Sequence, residues 1–262
     1  VRTSMNDDMK TKFKDFMMTA VPRQFMRNAL YVNTATPRFL EASFMAGLAS
    51  TDWTWAVKFG DFDNDSLTDV FFSNGVARSF NDSDNARSVE DFVGQTAWDY
   101  WEKFPPRKET NLAFRNKGDL KFEPSGKEWG LDHNGMSYAS ATGDLDGDGD
   151  LDLVVANLDE EVFLYRNNGT EGNSITVSLK GAGGNTNGVG AKVVISAGGN
   201  RLVRQLIPAT GFLSSNEPKL HFGLGRESVI EALQVEWPSG HIQGFQNLKA
   251  GSHYVITEPA AA

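Results

Sequence analysis

Two stretches of the chain repeat each other at a constant offset, and this repeat constrains the fold more than any other feature of the sequence. The segment NALYVN beginning at Asn28 matches NLAFRN beginning at Asn111, and the acidic run that contains Asp61 matches the run that contains Asp144. The offset is the same in both pairs, because 111 − 28 = 83 and 144 − 61 = 83. A third, shorter copy begins at Val162. Register kept over so many positions indicates a fold built from repeated units.

Each copy predicts four short strands separated by turn residues. In the second copy these strands cover roughly 112–116, 121–124, 137–143 and 151–156. A single four-stranded sheet cannot bury both of its faces, but several can when they stack radially as the blades of a β-propeller. Two blades do not close a ring. We therefore expect the chain to be the C-terminal part of a larger protein, or to associate with the remaining propeller blades or with partner protein chains.

Each copy also contains an acidic loop with carboxylates at positions 1, 3, 5 and 9, and the second loop has one at position 7 as well. Carboxylates this close together repel one another unless a cation lies between them. Positions 1, 3, 5 and 9 offer side-chain oxygens and position 7 offers a backbone carbonyl, which is the oxygen-only set that Ca²⁺ prefers. The candidate ligands are Asp61, Asp63, Asp65, the Leu67 carbonyl and Asp69 in the first loop, and Asp144, Asp146, Asp148, the Asp150 carbonyl and Asp152 in the second.

An EF-hand does not explain these loops. Its position 12 would hold Glu, whereas the chain has Phe72 and Val155 there, and a strand pattern follows rather than a helical one. A pair of solvated acidic turns without metal is the alternative. Position 6 favours a positive φ, which Gly149 adopts freely and Ser66 adopts at a cost of about 1 kcal/mol. We therefore expect the second loop to bind Ca²⁺ more tightly than the first.

Two segments interrupt the strand pattern with a helical one. Apolar residues recur with a helical period in residues 1–27, and a helical insertion is predicted within 76–110, ending at Pro105. These helices either pack on the edge of the propeller or present aromatic surfaces to a partner. The blades themselves are predicted over 28–170.

Residues 171–262 predict a small β-sandwich or barrel. Short stretches in which apolar and polar residues alternate are separated by Gly, Asn and Pro. The Gly-rich run from Gly181 superficially resembles a phosphate-binding loop, but without a following helix or a Lys-Ser/Thr pair we expect a hairpin. The fold class is therefore all-β: partial propeller blades with inserted helices, followed by this small domain.

Composition narrows the functional classes. The net charge of −9 argues against nucleic acid as a partner and favours cations. No apolar run approaches the ~20 residues of a transmembrane helix, so we expect no transmembrane segment. The chain has no cysteine, which excludes disulfides and thiolate metal sites. The four histidines form no HExxH pair, but the many carboxylates leave a glycosidase-like pair open.

The acidic loops carry a family resemblance. GDFDNDSLTDV from Gly60 and GDLDGDGDLDL from Gly143 resemble the calcium loops of FG-GAP/VCBS repeats, the blade unit of integrin-type β-propellers. Downstream, GVGAKVVISAGG and VEWPSG resemble the UnbV/ASPIC domain that closes cartilage acidic protein-like chains. The family usually has Gly at position 6 of the loop, so Ser66 departs from its pattern.

The resemblance implies a calcium-binding adhesion or scaffold module that is extracellular, at the cell surface or periplasmic, and that binds proteins or glycans. We expect an interaction module rather than an enzyme. Two alternatives stay open, a carbohydrate-active lyase or hydrolase and a structural subunit of a larger surface assembly. Calcium would be structural, and we expect its removal to destabilise the blades more than the C-terminal domain.

Overall fold

The computed structural model describes residues 27–79, 93–94, 96, 98–99, 102–169 and 172–260, and these residues form eighteen β-strands. The all-β prediction is confirmed. The strands before residue 170 are β1 (Tyr31–Asn33), β2 (Phe39–Glu41), β3 (Thr54–Gly60), β4 (Asp69–Asn74), β5 (Glu109–Thr110), β6 (Leu112–Asn116), β7 (Phe122–Pro124), β8 (Asn134–Gly135), β9 (Ser137–Gly143), β10 (Asp152–Asn157) and β11 (Phe163–Tyr165). Those after it are β12 (Asn173–Lys180), β13 (Lys192–Ala197), β14 (Asn200–Gln205), β15 (Lys219–Gly225), β16 (Val229–Glu236), β17 (Ile242–Lys249) and β18 (Ser252–Thr257).

Two antiparallel sheets have the meander order of propeller blades. Blade A has the order β3-β4-β6-β7 and blade B has the order β9-β10-β11. Two smaller pairs, β1 with β2 and β5 with β8, flank them. The first strands of the two blades, β3 and β9, lie next to each other without pairing. This is the position that innermost strands take when blades surround an axis.

The four strands of one sequence copy do not form one sheet, so our expectation of one blade per copy was wrong. Strands β6 and β7 of the second copy complete the sheet that β3 and β4 of the first copy begin, and β9 and β10 begin the next sheet. Val70–Phe72 of β4 pairs directly with Leu112–Phe114 of β6. The blade is therefore displaced by half a repeat from the sequence copy. Alternation within a strand defines its two faces but does not specify which strand pairs with it.

The predicted helical segments fall largely outside the described residues, since residues 1–26 and 80–92 are not among them. The ends of the insertion lie outside the predicted helix, and the described residues there are extended. Val76 and Arg107 form a β-bridge, and Glu109–Thr110 is strand β5. The insertion therefore leaves and rejoins blade A at one place. Within the part of the chain that the structure describes, no helix has the length and apolarity to cross a bilayer.

Neighbouring layers bury both faces of β4, one of them the other blade and one the segment that contains Ala46 and Leu48. All six residues of this strand are buried, and neighbours along it point to opposite faces. Phe71 packs into the apolar cluster between blades A and B, whereas Val70 and Phe72 pack into a second cluster on the other face. A strand with no solvent-exposed face needs a neighbouring layer on each side, as radial stacking of blades can provide.

The last seven strands form two facing sheets, which we call the C-terminal sandwich. Their orders are β15-β12-β18 and β14-β13-β16-β17, and β12 with β18 is the parallel pair among them. One apolar core fills the space between the sheets. Its fully buried members include Ile175, Val177, Val193, Ile195, Phe222, Ile230, Leu233 and Val235. The predicted C-terminal domain is thus a sandwich.

Candidate metal centres

Both acidic loops connect the first two strands of a blade. Loop 1 (61–69) joins β3 to β4, and loop 2 (144–152) joins β9 to β10. The strand register pairs Gly60 with Asp69 and Gly143 with Asp152. The sheet therefore holds position 9 of each loop beside position 1, which lies one residue beyond the paired glycine.

The two loops share one hydrogen-bond pattern at position 9. The carboxylate there accepts one bond from the N–H of position 2 and another from the N–H of an asparagine at the end of the third strand of the same blade. The bonds run from Phe62 (2.9 Å) and Asn116 (2.8 Å) to Asp69, and from Leu145 (2.9 Å) and Asn167 (2.9 Å) to Asp152. Position 9 is thus fixed by two separate strand ends.

The carboxylate at position 1 holds the turn of its loop in the same way. It accepts bonds from two N–H groups of the turn, namely Asp65 and Ser66 for Asp61, and Gly147 and Gly149 for Asp144. Position 6 has a positive φ in both loops, +78° at Ser66 and +95° at Gly149. The positive φ expected at position 6 is confirmed in both loops, and Ser66 has it although residues other than glycine rarely do.

Three carboxylates of each loop converge on one point. The groups are Asp61, Asp63 and Asp65 in loop 1 and Asp144, Asp146 and Asp152 in loop 2, each with ligand oxygens within 4.8 Å of one another. Loop 1 thus brings together positions 1, 3 and 5, and loop 2 positions 1, 3 and 9. Asp69 and Asp148 lie outside these groups of three. The carbonyls of Leu67 and Asp150 stay predicted ligands.

The side chain of Asp150 has a different role from its carbonyl. Its carboxylate accepts a hydrogen bond of 2.6 Å from Nδ2 of Asn64, so it links loop 2 directly to loop 1. Burial and the neighbouring Asp148 carboxylate raise the pKa of Asp150. The two loops are therefore neighbours in space although they belong to different blades.

Loop 1 places two carboxylates in a buried position. Asp61 is 1% exposed and Asp69 is fully buried. Burial raises the pKa of Asp61 to about 8, helped by the charges of Asp69 and Asp65, and burial raises the pKa of Asp69 to about 7. An ion that binds here has to displace protons from these carboxyl groups, and its positive charge would stabilise their ionised form.

Two equivalent arginines supply part of the counter-charge. Nε of Arg115 lies 2.9 Å from the Asp63 carboxylate, and Nε of Arg166 lies 2.6 Å from that of Asp146. Each arginine directly precedes the asparagine that binds position 9. The sequence analysis missed these four residues, although the dipeptide Arg-Asn recurs in NLAFRN and VFLYRN and was a usable signal.

The donor sets fit a hard divalent cation. Both groups consist only of carboxylates, and Oδ1 of Asp63 is buried without a hydrogen-bond partner. A buried acceptor oxygen without a donor is costly unless a cation or water satisfies it. These acidic groups could therefore hold a metal ion.

Two family models match the chain. The FG-GAP-like repeat matches residues 106–155 and 144–197, and the ASPIC and UnbV model matches residues 181–262. Loop 2 lies in both FG-GAP-like matches, whereas loop 1 precedes them.

Cartilage acidic protein 1 from three vertebrates is similar to the chain. Identity is 28% over 185 residues for Mus musculus, 26% over 203 residues for Homo sapiens and 30% over 187 residues for Xenopus tropicalis. These matches cover 69%, 76% and 70% of the chain but 25%, 27% and 25% of the relatives, so the chain spans about a quarter of their length. The chain therefore carries FG-GAP-like repeats followed by an ASPIC and UnbV domain.

Proposed function

We propose that the chain is a calcium-binding interaction module of the adhesion or scaffold type. The observation that carries the proposal is the shared architecture of loops 1 and 2: the same two hydrogen bonds at position 9, a bond from the N–H of position 6 to the carboxylate of position 1, and a matching Arg-Asn pair. A pattern built twice around convergent carboxylates supports a common ion rather than two solvated turns. Residues 28–170 would form the propeller part and residues 171–262 the C-terminal domain.

Calcium is the ion that the donors favour. The ten predicted ligands offer only oxygen atoms, from carboxylates and from the carbonyls of Leu67 and Asp150, in loops of irregular geometry. Ca²⁺ accepts six to eight such oxygens, whereas Mg²⁺ demands a near-ideal octahedron. When bound, the ion would supply the positive charge that holds these carboxylates together.

We place the module outside the cell, at its surface or in the periplasm. The similarity to cartilage acidic protein 1 supports this location, and extracellular modules bind Ca²⁺ at roughly 10⁻⁴–10⁻³ M. The ion would then be a permanent structural component, and the partners would be other proteins or glycans.

Isothermal titration with CaCl₂ and MgCl₂ tests the metal assignment. We expect two Ca²⁺ sites, with Asp63→Asn abolishing one and Asp146→Asn the other, because each removes a charge at position 3. Asp159→Asn, an exposed acidic residue outside both loops, is the matched control and should bind as the wild type does. A wild-type chain that binds no Ca²⁺ would make the proposal wrong.

A cleft beside loop 1 favours saccharide binding as a second candidate function. It has a volume of about 620 Å³, and Phe62, Trp129 and Tyr165 line it together with Arg115 and Arg226. The guanidinium of Arg115 lies 5.1 Å from the centre of the Trp129 ring. Aromatic surface with a few polar groups is typical of small-molecule sites.

A glycan array and an assay for released reducing sugar separate the binding and enzymatic forms of this candidate. Binding that Trp129→Ala abolishes, without sugar release, supports a glycan-binding module. Sugar release supports the carbohydrate-active enzyme. A chain that neither binds nor cleaves any glycan leaves the protein-binding form of the module.

A further inference from the structure

We propose that the C-terminal sandwich completes both metal loops, so that ion binding and docking of the sandwich are thermodynamically linked. Residues of β12 and β15 would act as positioning residues that hold the loop backbone without being ligands themselves. The inference rests on the proposed function, because it presupposes that the loops bind an ion.

Loop 2 is held at its position 6. The Gly149 carbonyl accepts a hydrogen bond of 2.6 Å from the Ser174 hydroxyl and another of 3.0 Å from Nε2 of His221. Both side chains belong to the sandwich and are buried. Two donors on one carbonyl fix the peptide plane between Gly149 and Asp150. The next carbonyl along the chain is the predicted ligand at position 7, so the sandwich sets its direction.

Loop 1 is held by close backbone approach. The N–H of Gly225 donates a hydrogen bond of 2.7 Å to the Asn64 carbonyl. A Cβ atom at Gly223 would lie 2.1 Å from Oδ2 of Asp61 and 2.7 Å from Cα of Asn64. Strand β15 therefore reaches the position-1 carboxylate only because residue 223 has no side chain.

One face of the sandwich makes all of these contacts. His221, Gly223 and Gly225 are alternate residues of β15, so they lie on the same face, and Ser174 of β12 pairs with Gly223. The Asn64–Asp150 hydrogen bond joins the two loops at the same place. Loop 1, loop 2 and the sandwich thus meet in one junction, which we call the loop junction.

Linkage follows from this shared backbone. If an ion and the sandwich favour the same loop conformation, each strengthens the binding of the other by the same factor. We therefore expect Ca²⁺ to tighten the loop junction, and damage to the junction to weaken Ca²⁺ binding although every ligand is intact.

The first test compares two serines of one strand. Ser174→Ala removes a donor to the Gly149 carbonyl, whereas Ser178→Ala removes a hydroxyl that lies 2.8 Å from His253 and away from the loops. We expect Ser174→Ala to weaken Ca²⁺ binding to loop 2 about three- to tenfold, as loss of one hydrogen bond would. Ser178→Ala should bind as the wild type does.

The second test compares two glycines. Gly223→Ala brings a methyl group onto Asp61, whereas Gly244→Ala on β17 meets no atom within 4 Å. Hydrogen exchange supplies a readout that is independent of affinity. In the wild type, Ca²⁺ should slow exchange at the Gly225 amide at least fivefold. Gly223→Ala should abolish that slowing, and Gly244→Ala should preserve it.

The outcomes separate the linkage from the proposed function. A wild-type chain without Ca²⁺ binding would overturn both. Normal Ca²⁺ binding by Ser174→Ala and Gly223→Ala, with Gly225 exchange unaffected by the ion, would overturn the linkage alone. Circular dichroism shows which variants fold, and Ser174→Ala, which removes a single oxygen atom, keeps the test available if Gly223→Ala does not fold.

Discussion

At the scale of single residues, Lys58 shows how a charge can be buried between the two parts of the molecule. It is 1% exposed, and its ammonium group donates to the carbonyl of Thr210 (2.5 Å), to the hydroxyl of Thr210 (2.9 Å) and to Oδ1 of Asn216 (2.9 Å). These acceptors satisfy its hydrogen bonds but carry no full charge. Burial accordingly lowers the pKa of Lys58 to about 8.

This lowered pKa predicts a pH-dependent stability. Lys58 titrates near pH 8 in the folded chain and near its ordinary pKa of 10.5 in the unfolded one. Between these values the unfolded chain binds more protons, so the free energy of unfolding rises with pH, and the gain is lost as pH falls through 8. We expect urea midpoints of the wild type, relative to Lys58→Met, to rise from pH 8 to pH 10. Lys117 is exposed, so Lys117→Met serves as the control, and the difference in urea midpoint between the wild type and this variant should not rise with pH. A difference from Lys58→Met that also stays constant with pH would contradict the prediction.

Ser66 predicts a second effect at this scale. Its φ of +78° costs about 1 kcal/mol, which Ser66→Gly removes, so loop 1 should gain up to about fivefold in Ca²⁺ affinity. Titration in an Asp146→Asn background isolates loop 1. The reverse change is less clean, because a Cβ at Gly149 would also lie 2.9 Å from the Ser174 hydroxyl. An unchanged loop 1 affinity would show that the strain is not expressed in binding.

At the scale of elements, the segment between β14 and β15 connects the sandwich to both blades. Ala209 and Ser215 form a β-bridge, and we call residues 208–216 the junction hairpin. Its Ser214 hydroxyl accepts a hydrogen bond of 3.2 Å from the N–H of Ser140 in β9. Lys58 of β3 binds the same hairpin. A single loop of the sandwich thus contacts the innermost strand of each blade.

Aromatic packing should anchor this hairpin. The Phe212 ring lies 4.7 Å from that of Trp55, between ring centroids, whereas the neighbouring Leu213 is 85% exposed. We expect Phe212→Ala to lower the free energy of unfolding by about 1–3 kcal/mol. Leu213→Ala, the matched control, should change it by less than about 0.5 kcal/mol. Urea denaturation followed by tryptophan fluorescence measures both, and equal effects would count against the anchoring role.

Elements were predictable where their signals are local. Strands β6 (112–116) and β9 (137–143) have the bounds that alternation and turn residues indicated. The pairing of Leu112 with Phe72 was not predictable, because the residue pattern of a strand does not specify which strand 40 positions away will pair with it. Within the site, the spacing identified the loops. It did not reveal that Gly223 of the C-terminal sandwich lies against Asp61, since that contact depends on how the sandwich and the blades pack together.

At the scale of the whole molecule, the loop junction changes the expected effect of metal removal. The sequence alone led us to expect that chelation would destabilise the blades selectively. Lys58, His221 and Gly225 now link the blades to the sandwich. We therefore predict one calorimetric transition, whose midpoint falls when EGTA removes Ca²⁺. The Asp63→Asn/Asp146→Asn double variant should lose this response. Two transitions, with only one sensitive to EGTA, would support the earlier expectation instead.

An exposed apolar surface predicts association. Tyr31 and Phe39 are each 65% exposed, and Leu40, Phe44 and Met45 nearby are also exposed. Apolar patches of this kind mark interaction surfaces. We expect concentration-dependent association in light scattering, reduced by Phe39→Ser with Phe44→Ser but not by Leu213→Ser, which removes an exposed apolar residue elsewhere. A monodisperse monomer at every concentration would contradict this.

The half-repeat displacement between sequence copies and blades has a consequence for descent by duplication. Gain or loss of one whole repeat leaves every sheet complete, wherever in the repeat the chain is cut. Each lost strand is replaced by the equivalent strand of the next copy. A deletion that does not remove a whole repeat leaves half of a blade without its other half. Ending the chain before Leu112, for example, would leave β3 and β4 without β6 and β7. Unequal recombination between genes for such chains can therefore change the number of blades while preserving each blade. Other deletions leave open sheet edges, which favour aggregation, so selection acts against such deletions.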